Sequence, residues 1–179
     1  MGPYGVAVDS TGAYFFTKGE GGRTDNQYMA GFSIDIANGA LTPMAASPFG
    51  PFPGDDAFHG LAFHPTRSIL YTAFYDSNPY DAGAFSLDLA TGTLTQLGLY
   101  NLFTSDHGSD NIVIDRSGQF AFSTNYGSNR ISRMRVAADG SLTKLDGSPL
   151  GAGDVDLTPV GDSPDSIVVG GTLVPIVPE

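Results

Sequence analysis

The feature that most restricts how this chain can fold is that it repeats itself. The segment PYGVAVDSTGAYFFTK near the amino terminus sets an apolar run, a four-residue turn and a second apolar run in an order that returns at FHGLAFHPTRSILYTA and at SDNIVIDRSGQFAFST. With Gly5 over Gly60 and Asn111, Val6-Ala7-Val8-Asp9 falls on Leu61-Ala62-Phe63-His64 and on Ile112-Val113-Ile114-Asp115. A fourth copy starts at Asp165-Ser166-Ile167 and stops with the chain at Glu179. The anchors Gly5, Gly60, Asn111 and Ser166 are spaced 55, 51 and 55 residues apart. A period of this length belongs to a repeat architecture, and single residues take their meaning from their place in it.

Each copy predicts four strands. The first pair is a hairpin turning at Asp9-Ser10-Thr11-Gly12 and again at Asp115-Arg116-Ser117-Gly118, with Asp and Gly supplying the turn chemistry. A third strand is predicted at residues 30–36, 84–89 and 130–136, each alternating well enough to be half-buried. Turns at Asn38-Gly39, Thr91-Gly92 and Asp139-Gly140 then lead to short outer strands at 40–42, 93–95 and 141–143. Composition agrees: 24 Gly, 12 Pro and acidic residues that are nearly all Asp mark turns, and helix-period segments are hard to find. Four antiparallel strands without a helix describe a propeller blade, so the expected fold is all-β, a partial β-propeller.

The most regular copy, NIVIDRSGQFAFSTNYGSNRISRMRVAADGSLTKLDGSPL at residues 111–150, resembles the lactonase-like β-propellers. That group includes seven-bladed 6-phosphogluconolactonases, carboxymuconate cyclases and YVTN-type repeat proteins. The resemblance implies hydrolysis of a sugar lactone or cyclic ester without a cofactor. Its alternative is a non-catalytic propeller module that presents loops to a protein or ligand.

Blade count sets the other expectation. The boundaries fall near 2–57, 58–107 and 108–164, with an incomplete blade at 165–179, whereas a propeller closes with about four to eight blades. The missing blades are expected from a longer chain or from a second copy of this one. On that account the fragment alone is expected to be inactive.

Charge narrows the partners. A net charge of −11 with only eight Lys and Arg disfavours a phosphate backbone, so nucleic acid is not an expected partner. No apolar run approaches the roughly 20 residues that span a bilayer, and no basic and apolar leader is visible, so no membrane partner is expected and the chain reads as soluble, cytoplasmic or secreted. Without cysteine there is neither a disulfide nor a thiolate ligand. The carboxylates Asp154, Asp156, Asp162 and Asp165 lack the glycine and closing glutamate of an EF-hand, and no metal is expected.

Two histidines in one copy raise the functional question. His64 sits in the slot of Asp9 and Asp115 and reads as a turn residue. His59 has Tyr4, Asp110 and Asp165 as counterparts, polar positions just before the innermost strand, where a propeller opens into its channel. An imidazole beside a carboxylate is suited to general-base work, with His59 activating water and Asp110 or Asp165 orienting it. In the carboxymuconate cyclases that this chain resembles, a histidine in an H-G-x-x-F-x-P-T context belongs to the active site, and residues 59–66 read HGLAFHPT. His107 is a second mouth candidate, and Arg67 and Arg130 are candidates for holding an anionic substrate group. For each of these the plainer alternative is a solvated loop or surface residue.

Overall fold

A computed structural model describes residues 5–19, 27–52, 59–75, 80–102, 108–125, 130–145 and 155–156. Their strands form three antiparallel sheets, each built on one copy of the repeat. Blade 1 runs outward through β1 (Val6–Val8), β2 (Tyr14–Gly19), β3 (Gln27–Ile34) and β4 (Leu41–Pro43), with β5 (Phe49–Phe52) also paired to β3. Blade 2 comprises β6 (Leu61–Phe63), β7 (Ile69–Ala73), β8 (Ala82–Leu87) and β9 (Leu94–Tyr100). Blade 3 comprises β10 (Ser109–Ile114), β11 (Phe120–Asn125), β12 (Arg130–Val136) and β13 (Leu142–Lys144), with β14 (Val155–Asp156) also on β12. The first strands lie side by side, β1 against β6 and β6 against β10, as the inner strands of a propeller do. The fold is an all-β partial propeller, and no helix occurs among the described residues. The fourth copy lies outside them.

Local chemistry explains the strand ends. The Asp9 carboxylate accepts the Thr11 and Tyr14 amides at 2.9 and 2.7 Å, and Asp115 accepts those of Ser117, Gln119 and Phe120 at 3.1, 2.9 and 2.9 Å. Asp35 and Asp88 do the same for Ala37 and Ala90, which ends the third strands at Ile34 and Leu87 rather than at Ile36 and Leu89. Those same strands begin earlier than expected, at Gln27 and Ala82, because their inner ends continue pairing along β2 and β7. The outer strands also differ from expectation. In blade 1 the chain turns away after Pro43 and returns as β5, whereas in blade 2 a bulge at Leu97 lets β9 run on unbroken.

Alternation assigns each side chain to a face. Ala7, Phe16 and Met29 point from blade 1 toward Leu61, Leu70, Phe74 and Phe85 of blade 2 and form one core. Tyr71, Ala73 and Ala84 point from blade 2 toward Ile112, Ala121 and Met134 of blade 3 and form a second. The outer face of blade 1 carries the same apolar set, and among the described residues no sheet covers it. Val6, Val8 and Leu41 are 62%, 49% and 49% exposed, while their repeat counterparts on blade 2 are Leu61, Phe63 and Leu94, and Leu61 is only 7% exposed. An apolar blade face of this kind is built to be covered.

Candidate functional site

Glycine brings two inner strands into contact. A Cβ on Gly60 would lie 2.6 Å from both Asn111 Cα and the Ile112 nitrogen, so β6 and β10 meet backbone to backbone there. The residues just before this contact are His59 and Asp110.

Bulged backbone then aims both side chains. In β10, Ser109 faces Asn125 and Asn111 faces Thr124, which leaves Asp110 as the extra residue of a β-bulge. In blade 2 the His59 amide bonds the Ala73 carbonyl while the Ala73 amide bonds the Gly60 carbonyl, a similar two-against-one opening. Counting back from Asn111 puts the Asp110 side chain on the face toward blade 2, and His59 Nδ1 lies 2.6 Å from Asp110 Oδ1. An ionised carboxylate only accepts, so Nδ1 carries the proton and the neutral ring keeps its lone pair at Nε2. The two side chains retain 17% and 15% of their surface, so the pair is not sealed from solvent. Tyr75, two residues past β7, stacks on the imidazole at 4.4 Å between centroids and 7° between planes. Carboxylate and phenol ring together fix the imidazole in position and tautomer.

A family model described as lactonase, 7-bladed beta-propeller matches residues 56–150, more than half of the chain and both residues of this pair. The chain belongs to the lactonase family of seven-bladed β-propellers. No curated protein matches it. Among solved structures, this lactonase-family chain is similar to a candidate 6-phosphogluconolactonase of Bacteroides fragilis, with 20% identity and a TM-score of 0.67 over 92% of this chain and 40% of that one. It is also similar to a periplasmic gluconolactonase of Pseudomonas aeruginosa, with 17% identity and a TM-score of 0.64 over 81% of this chain and 39% of that one. A functionally unknown protein of Desulfotomaculum acetoxidans shares 19% identity and a TM-score of 0.60 over 86% of this chain and 42% of that one. At these identities the likeness is one of fold, and the chain spans about two fifths of the length of each structure.

The other candidates of this lactonase-family chain fall in different places. Arg130 opens β12 opposite Asn125, on the face toward blade 2 and at the same end as His59. Arg67 lies at the other end of β6, in the first hairpin turn of blade 2. Its guanidinium donates through Nη1 to the Ala137 and Ala138 carbonyls at 2.9 and 2.8 Å, tying that turn to blade 3. Tyr4, His107 and Asp165 lie outside the described residues, and so do Asp154 and Asp162. Among the described residues no three His, Asp or Glu side chains converge as metal ligands.

His64 takes the part that aspartate plays in the sister turns. Its Nδ1 accepts the Thr66 and Arg67 amides at 3.2 and 3.1 Å, and its Nε2 lies 3.0 Å from the Gly118 carbonyl oxygen and 2.9 Å from Arg67 Nε. Burial lowers its pKa below the ordinary histidine value, and the charge of Arg67 lowers it further.

One residue at the site was missing from the sequence reading. Tyr75 could have been found from the repeat, since it aligns with Tyr126.

Proposed function

We propose that this lactonase-family protein hydrolyses a sugar lactone or related cyclic ester, with His59 as general base and Asp110 as the residue that orients it. The observation that carries the reading is the 2.6 Å contact between His59 Nδ1 and Asp110 Oδ1 where two inner strands meet. Nε2 takes a proton from water as the water oxygen adds to the lactone carbonyl. Collapse of the adduct breaks the ring C–O bond, and the departing alkoxide recovers that proton from the imidazolium. One water is added and the ring opens. Asp110 stabilises the imidazolium while it exists, the part that a carboxylate plays behind a catalytic histidine elsewhere. Arg130 is the cation proposed to hold an anionic group of the substrate, with Tyr4, His107 and Asp165 as further candidates around the mouth.

The site is proposed to work within a complete ring, its missing blades supplied by a longer chain or a second copy. The test is hydrolysis of gluconolactone and of its 6-phosphate, followed as acid release against the uncatalysed rate. The completed propeller should exceed that rate and the 179-residue chain as a monomer should not. A completed ring no faster than background on both substrates removes the enzymatic reading and leaves a binding module.

A further inference from the structure

We propose that Asn125 is a positioning residue for Asp110, acting through a buried polar chain beneath the bulge. The proposal rests on the His59–Asp110 pair described above. Ser109 Oγ donates to Asn125 Oδ1 at 3.2 Å, and Asn125 Nδ2 donates to Ser132 Oγ at 2.6 Å. All three residues are fully buried. The chain begins on the residue that precedes Asp110, on the face of blade 3 turned toward blade 2.

The fold itself does not demand this chemistry. In the repeat frame Asn125 corresponds to Phe74 and Ser132 to Gly83, and in blade 2 the Phe74 ring fills the space over Gly83, where a Cβ would meet it at 3.0 Å. One blade therefore closes this position with a phenyl ring and the other with three hydrogen-bonding side chains. A buried polar chain holds its members in fixed directions only while every member is satisfied, which an apolar contact does not require. Its anchor is the Ser109 side chain, so it fixes the backbone from which Asp110 departs. A shift of about 1 Å in the carboxylate would stretch the contact to His59 beyond hydrogen-bonding distance.

The test uses proton and nitrogen NMR of the 179-residue protein, reading the His59 Nδ1–H resonance. A short bond to a carboxylate should move it far downfield and protect it from exchange, and a His59→Gln variant assigns it by its loss. Asn125→Phe combined with Ser132→Gly imports the packing of blade 2 and should fold, yet lose that resonance. Ser109→Ala, a milder change, should also lose it and decides the matter if the double variant does not fold. Ala121→Gly loosens the same strand away from the bulge and should keep it. A folded double variant or Ser109→Ala variant with the resonance intact overturns the proposal, as does its loss in Ala121→Gly. Absence from the unsubstituted protein overturns the pair itself. A failure of lactone hydrolysis moves none of these readings.

Discussion

Gly60 and Asn111 touch backbone to backbone, with no room between them for a methyl group. That contact joins blade 2 to blade 3 along their innermost strands and sets His59 beside Asp110. Gly60→Ala should therefore part the strands. Backbone cannot rotate away as a flexible side chain can, so the loss of stability should reach about 1–3 kcal/mol or more. Denaturant midpoints measure it, and a variant as stable as the parent protein would contradict the contact.

His64 makes stability depend on acid. Protonation puts a hydrogen on Nδ1, where two backbone amides already donate, and adds a charge beside Arg67. The folded-state pKa lies below the unfolded value of about 6.5, so the contribution is complete above that value and is lost as pH falls through the folded pKa. His64→Asn keeps an acceptor and cannot titrate. Unfolding followed from pH 7.5 down to about 5 should show a shallower decline for the variant, and equal slopes would refute the assignment. His64→Ala, which leaves buried amides without an acceptor, should cost about 1–3 kcal/mol at neutral pH.

These two cases show what was legible in the residues alone. The repeat, its Asp and Gly turns and the inner strands were readable because they are local patterns, and so was the place of His64 in the slot of Asp9 and Asp115. The pairing of His59 with Asp110 was legible only as a shared position in two copies 51 residues apart. The bulge that aims Asp110 was not, because it depends on how Ser109 and Asn125 meet across two strands. The end of the third strand was misjudged for a simpler reason. Ile36 and Leu89 continue the apolar pattern, but the preceding aspartates have already turned the chain. Arg67 was a candidate for holding an anionic group, and its tie to the Ala137 and Ala138 carbonyls was not legible because those residues lie 70 positions or more along the chain.

The uncovered face of blade 1 predicts association of the isolated chain. Val6, Val8 and Leu41 occupy positions that blade 2 buries against its neighbour. Sedimentation of the 179-residue chain should give a dimer or larger species, and Val6→Asp with Val8→Asp should shift it toward monomer while the strand content by circular dichroism is kept, since both side chains meet solvent in the single chain. A well-behaved monomer at moderate concentration would mean that this face needs no partner.

The central claim is that His59, oriented by Asp110, activates water at the mouth of a lactonase-family propeller. Its most direct measurement is kcat for gluconolactone hydrolysis by the completed ring, with and without His59→Ala. General-base catalysis by a positioned imidazole is worth roughly 10²–10⁴-fold, and the variant should lose that much of its rate while KM changes little. Full activity in His59→Ala would contradict the account.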